Sequence, residues 1–253
     1  MLNKMFEIRG KKGIVTGATR GLGKAMAQAL YEAGVEIVIM GTSDRILSVA
    51  KEIDKTGTKV HGIIADFRDT LSVQNAFESA IAILGDLDIL VNNAGMQIRH
   101  PSEDFPVEDW EAVLAVNLTA PFIMSKLAGK IMLEKGYGKI INIASVLSFI
   151  GGYTVPAYAA SKGGIARMTQ TMCNEWASKG INVNAIAPGY METDNTTAIK
   201  NDPVRYNQLL TRIPTNRWGV PSDIVGPLLF LASSASDYVN GVILPVDGGF
   251  LGR

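Results

Sequence analysis

Seven short runs rich in β-branched residues recur along the chain: GIVTG at 13–17, VEIVIM at 35–40, KVHGIIA at 59–65, LDILVN at 87–92, KIINIAS at 139–145, INVNAIA at 181–187 and VILPV at 242–246. Between them lie longer segments of helical character, such as KAMAQALYEAG and DWEAVLAVNLTAPFIMSKLAGKIMLEKG. Strands that alternate with helices predict a parallel sheet covered on both faces, a doubly wound α/β architecture of about seven strands. A length of 253 residues suits one such domain, and no repeat or interdomain linker interrupts it. Sheets of this kind bind ligands beyond the carboxyl ends of their strands. The least regular segment, rich in Thr, Asn, Asp and Pro at about 190–217, follows the sixth run and is expected to form a short helical lid over that edge.

Charge narrows the partners. Lys and Arg number 24, as do Asp and Glu, so no net field draws the chain to nucleic acid or an anionic membrane. No apolar run approaches the ~18 residues of a membrane span, and none is expected. The single Cys173 rules out an internal disulfide, and MLNKMFEIRG lacks the apolar core of a signal peptide. A cytoplasmic protein acting on a small molecule is the expectation.

The first run leads into TGATRGLG, with Gly17, Gly21 and Gly23 where strand should turn into helix. Glycines there let the backbone approach a pyrophosphate, whose charge the free N–H groups and the helix dipole stabilise. Thr19, Arg20 and Leu22 belong to the same turn. At the end of the second run, where a carboxylate would bond the ribose hydroxyls of NAD, stand Gly41 and Thr42. The absence of an acid and the presence of Arg20 favour a 2′-phosphate, whereas Asp44 could still reach a ribose; NAD and NADP both remain open. Asp66, after the third run, is placed to meet an adenine amino group, or to cap the helix that begins near Thr70.

GGYTVPAYAASKGG, residues 151–164, pairs a phenol with an ammonium. Tyr158 and Lys162 are four residues apart, so at ~100° per residue they share one helical face. A neighbouring cation lowers a phenol's pKa from ~10 towards the range where it exchanges protons. Tyr153 has only Ala157 at that spacing and reads as a loop residue lining a pocket. His61 and His100 have no second ligand at metal spacing, so no metal is expected.

TGATRGLG, Asn92-Asn93-Ala94-Gly95, Asn117, Ser145, Tyr158-Ala-Ala-Ser-Lys162 and Pro188-Gly189 together resemble, in order and spacing, the motifs of the short-chain dehydrogenase/reductase family. The resemblance spans nearly the whole chain. It implies the Rossmann fold, an NAD or NADP cofactor, and an active site of Asn117, Ser145, Tyr158 and Lys162. Tyr158 would be the acid/base and Ser145 would bond the substrate oxygen. Lys162 would hold the nicotinamide ribose as well as tune Tyr158, and Asn117 would anchor a proton-relaying water. Cofactor contacts would come from the Gly turn, Thr42, Asp66, Asn92, Ala94, Gly95, Pro188, Gly189 and Thr193.

Four longer stretches, KIINIASVLSFIGGYTVPAY, NEWASKGINVNAIAPGYMETDNT, RIPTNRWGVPSDIVGP and FLASSASDYVNGVILPVDGG, are similar to the family's bacterial sugar-acid dehydrogenases, in particular those acting on 2-dehydro-3-deoxy-D-gluconate. In them a basic residue near the pocket matches Arg99, which would take the substrate carboxylate. Arg217 falls in a motif general to the family and reads as structural. Gluconate 5-dehydrogenation and reduction of acyl-carrier-linked ketones are the alternatives, the latter weakened because Asn174 stands where such enzymes usually carry Arg. A non-catalytic nucleotide-binding scaffold is a further alternative, but it would have no need of the Tyr and Lys. The family also implies a homotetramer.

Overall fold

The computed structural model describes residues 2–192 and 202–253. All seven expected strands form: β1 (Lys12–Thr16), β2 (Glu36–Gly41), β3 (Val60–Ile64), β4 (Ile89–Asn92), β5 (Gly138–Ile143), β6 (Ile181–Pro188) and β7 (Ile243–Val246). They make one parallel sheet in the order β3-β2-β1-β4-β5-β6-β7, with Val15 opposite Ile39 on one side and Val91 on the other. Helix α1 (Leu2–Met5) precedes β1, and helices fill the crossovers: α2 (Gly21–Glu32), α3 (Arg45–Ile53), α4 (Thr70–Leu84), α5 (Val107–Leu114), α6 (Ala120–Lys135), α7 (Pro156–Trp176), α8 (Pro203–Leu210) and α9 (Val225–Ala232).

Side chains alternate across the pleat, and the strands divide their apolar residues accordingly. Val15, Ile37, Ile39 and Val91 pack against Met26 and Leu30 of α2, Val49 of α3, and Leu228 and Leu231 of α9. Ile14, Val38, Met40, Leu90 and Ile140 face the other way, onto Phe77 of α4 and Met124 and Met132 of α6. Each fully buried aliphatic side chain contributes about 1.5–3 kcal/mol, so two faces of this kind hold the sheet edge rigid where the connecting loops emerge. Every residue of β5 and β6 is buried, as expected of central strands covered on both sides.

Between α5 and α6 the helix widens into a π-turn at Ala115–Thr119. The continuous run Val107–Lys135 is long and apolar enough to cross a membrane, but half of its most apolar stretch is buried inside the protein. Val113, Val116, Ala120, Met124, Ala128 and Met132 form its buried stripe. The other motif-bearing helix, α7, starts with Pro156 at its first turn, where the missing N–H is tolerated.

Candidate active site

The strand order reverses between β1 and β4, and the loops after these two strands meet there. Thr16 Oγ accepts the backbone N–H groups of Asn93 and Ala94, each at 3.0 Å. Asn93 Nδ2 returns hydrogen bonds to the carbonyl oxygens of Thr16 (3.0 Å) and Gly17 (2.9 Å). Gly17 has φ +66°, and a Cβ on it would lie 2.7 Å from Ala94 Cα. At Gly23 a Cβ would lie 2.2 Å from the Gly17 carbonyl oxygen. The side chain of the exposed, extended N-cap residue Arg20 makes no capping hydrogen bond to α2, and the dipole and N–H groups of such a helix start favour an anion. The described cradle thus fits a dinucleotide pyrophosphate.

Other predicted cofactor residues separate on inspection. Gly41 ends β2 against Thr19, whose Oγ would be 2.4 Å from a Cβ there, and exposed Thr42 follows. Leu22, in the first turn of α2, packs against the core. The Asn92 side chain points into the protein, donating to Asn142 Oδ1 at 2.8 Å and Ser125 Oγ at 2.9 Å, so only its backbone faces the sheet edge. Asp66 pairs with Arg68 through its side chain and accepts the Arg68 N–H at 2.9 Å; these bonds lower its pKa. It does not cap α4: Asp69 does, accepting the Leu71 N–H at 2.9 Å. Pro188 closes β6, and Gly189 passes so near β7 that a Cβ would sit 2.7 Å from Asp247 Cα. Thr193 lies outside the described residues.

Gly95 joins this cradle to the second motif group, its Cβ position falling 3.5 Å from Asn117 Oδ1 and 3.9 Å from Lys162 Nζ. Asn117 is 1% exposed within the π-turn, and its Nδ2 also reaches Ser161 Oγ at 3.1 Å. Lys162 is buried on α7 and donates to the Ile143 carbonyl oxygen at 2.6 Å. Its Nζ lies 5.6 Å from the centre of the Tyr158 ring. Ser145 follows β5, accepts the Leu147 N–H at 3.1 Å and is hydrogen-bonded to Tyr158. The four motif residues therefore converge at the carboxyl edge beside the switch point. Ser148, by contrast, is tied to the Lys162 carbonyl oxygen at 2.7 Å.

The electrostatics differ from the expectation. Burial raises the Tyr158 pKa, and the Ser145 hydrogen bond and the Arg99 charge only partly oppose it. Lys162 does not lower the phenol as expected, because its ammonium is turned to the Ile143 carbonyl and is itself pushed down to about 8 by burial. Arg99 does reach this site: Tyr158 and Tyr190 both interact with its charge, as does Arg205 of α8. Neither Arg205 nor Tyr190 follows from motif spacing. The only signal for Arg205 was a cation within the irregular segment. Arg217 forms a bidentate pair with Asp223 at 2.7 and 2.9 Å, the structural role expected of it. Among the described residues no group of three His, Cys, Asp or Glu side chains could hold a metal.

Residues 11–203 match the family model for short chain dehydrogenases. The 2-dehydro-3-deoxy-D-gluconate 5-dehydrogenase of Bacillus subtilis is 48% identical over 100% of this chain and 99% of its own. The Escherichia coli K12 protein of the same name is 46% identical, with both chains fully covered. Among solved structures, a gluconate 5-dehydrogenase from Burkholderia cenocepacia in complex with NADP and tartrate superposes with a TM-score of 0.95, at 38% identity over 100% of both chains.

Proposed function

Because the chain belongs to the short-chain dehydrogenase family, and is accordingly an NAD(P)-dependent oxidoreductase acting on CH–OH groups, we propose that it interconverts a secondary alcohol and a ketone on a sugar acid, 2-dehydro-3-deoxy-D-gluconate. The observation that supports this most is the presence of Arg99 within electrostatic reach of Tyr158, a cation beside the acid/base candidate of a chain 48% identical to an enzyme named for that acid. Gluconate is the second reading, favoured by the similarity to the Burkholderia cenocepacia enzyme. Comparing kcat/KM for 2-dehydro-3-deoxygluconate, gluconate and a ketoacyl thioester, each with NAD and NADP, tests the choice. A preference for the first sugar acid is expected, and a preference for either other substrate would overturn it.

In this reading a dinucleotide would supply the hydride acceptor, and the Gly17–Gly23 cradle, Ala94, Gly95 and the start of α2 would hold it. In the reducing direction the Tyr158 phenol, kept protonated by burial, donates its proton to the carbonyl oxygen; in the oxidising direction it must first ionise, which the Ser145 hydrogen bond and the Arg99 charge favour, and the phenolate then takes the hydroxyl proton as the carbonyl forms. Ser145 donates to the substrate oxygen, where charge develops. Lys162, at a pKa of about 8, exchanges protons near neutrality, so it can relay the proton that Tyr158 takes up. Asn117, through its bonds to Met96 and Ser161, acts as a positioning residue for the β4 loop and α7. The missing carboxylate at Gly41 and Thr42 supports use of NADP, and the kcat/KM comparison with both dinucleotides tests it.

Exposed Val107, Trp110 and Phe122 on the α5–α6 run support assembly through that face into a homotetramer. A light-scattering mass near 27.1 kDa, that of one chain, would contradict it. The buried Cys173 is consistent with a reducing compartment, the cytoplasm.

A further inference from the structure

Three segments from distant parts of the chain meet outside the Tyr158 group. The loop after β4 carries Arg99 and is tied to the loop before α7 by the His100 N–H, which donates to the Thr154 carbonyl oxygen at 3.1 Å. Thr154 is held at φ +59°, a left-handed conformation unusual for a β-branched residue, and such strain persists only where the surroundings fix it. Beside it, Tyr153 presents its ring largely to solvent, 73% exposed. Arg205 of α8 lies over that ring, its Cζ 5.6 Å from the centre, within cation–π range.

Helix α8 is anchored in a way that aims Arg205. Asp202 caps it, accepting the N–H groups of Val204 and Arg205 at 3.1 Å each. One residue on, Tyr206 stacks on Trp218 at 5.1 Å, while Leu209 is buried. The helix is thus fixed by its cap and by its aromatic side, and Arg205 emerges towards Tyr153. Arg99 and Arg205 are close enough to interact, and among the described residues neither forms an ion pair with a carboxylate. Two guanidinium groups brought together without an acid repel one another, and a planar anion between them relieves the repulsion through paired N–H donors.

We propose that Arg205 is a specificity-determining residue, which with Arg99 forms a two-guanidinium seat for the carboxylate of the substrate, the Tyr153 ring holding Arg205 in position. This rests on the sugar-acid reading and deepens it: α8 then recognises the acid end of the substrate, while Tyr158 and Ser145 act at the alcohol carbon.

The test is steady-state kinetics of the full chain and of Arg205→Met, Arg205→Lys and Tyr153→Leu with 2-dehydro-3-deoxygluconate and with its neutral carboxamide. Loss of a charge-assisted pair predicts KM for the acid raised about 10- to 100-fold in Arg205→Met. Arg205→Lys and Tyr153→Leu should rise by smaller factors, with kcat nearly constant and the carboxamide unaffected by any substitution. If KM for the acid stays unchanged in Arg205→Met and Arg205→Lys, or rises equally for the acid and the carboxamide, the seat is overturned while the sugar-acid reading stands. Absence of turnover of the acid by the unsubstituted enzyme would instead overturn that reading, and the seat with it.

Discussion

Asn117 holds Met96 at both of its backbone polar groups: its Oδ1 accepts the Met96 N–H at 2.8 Å, and its Nδ2 donates to the Met96 carbonyl oxygen at 2.9 Å. The π-turn at Ala115–Thr119 places this side chain opposite the β4 loop. The clamp fixes the segment that leads to Arg99. Asn117→Ala would remove the partner of both backbone groups of the half-buried Met96, at about 1–3 kcal/mol each. Urea denaturation should show stability reduced by at least the lower figure, and KM for the acid should rise along with a fall in kcat. A variant with native stability and native KM would contradict the clamp.

The turn between β1 and α2 admits no side chain at Gly23, whose Cβ would meet the Gly17 carbonyl oxygen at 2.2 Å. That oxygen is backbone, so Gly23→Ala must displace the turn itself. Dinucleotide affinity, read by quenching of tryptophan fluorescence, should fall at least tenfold. Gly226→Ala is the control: it lies in α9 with nothing within 4 Å of the added methyl, so helix propensity should raise stability by about 0.5–1 kcal/mol without touching the cofactor.

Asp54 accepts the N–H groups of Thr56, Thr58 and Lys59 at 2.8–2.9 Å and is almost fully buried. These bonds, with the Thr56 hydroxyl, hold its carboxyl well below the usual range. Because the folded pKa lies below the unfolded one, the stabilisation is fully present above an unfolded pKa of ~3.9 and is lost as pH falls beneath it. Asp54→Ala should lower the midpoint of urea denaturation at pH 7 and flatten the acid limb of the stability profile. An unchanged acid limb would refute this.

Lys162 gives a slope of the same sign in a different pH window and for the opposite reason, since its charged form is penalised by burial and not stabilised by partners. Burial pushes it down to about 8, while in the unfolded chain it keeps its proton to ~10.4. Between those values the unfolded state binds more protons, so this group's contribution to stability rises with pH from about 8 to about 10. Lys162→Met should remove that rise in the protein measured without nucleotide. The same slope in both proteins would show that the lysine is not the group responsible.

How much of this could be read from the chain depends on which interactions are local. The seven strands were legible because each is a short β-branched run between helices, and Tyr158 and Lys162 because four-residue spacing makes them neighbours on α7. The partner of a polar side chain was not. Nothing in the spacing directs Asn92 towards Ser125 and Asn142, or Asp66 to Arg68 in place of the α4 cap. The upward shift at Tyr158 escaped for a similar reason, since sequence proximity to Lys162 carries no information about burial or about the Ile143 carbonyl that engages the ammonium. Arg205 was hidden because it meets Tyr153 only through the path of the chain after β6.

The central claim is that Tyr158 moves the proton in a dinucleotide-dependent oxidation of a sugar acid. The most direct test follows the absorbance of reduced nicotinamide with 2-dehydro-3-deoxygluconate and NAD or NADP for the native chain and Tyr158→Phe, alongside fluorescence titration of the dinucleotide. Native turnover, with kcat reduced about 10²- to 10⁴-fold in Tyr158→Phe and dinucleotide affinity retained, is the predicted result. Turnover that survives the loss of the phenol hydroxyl would contradict it.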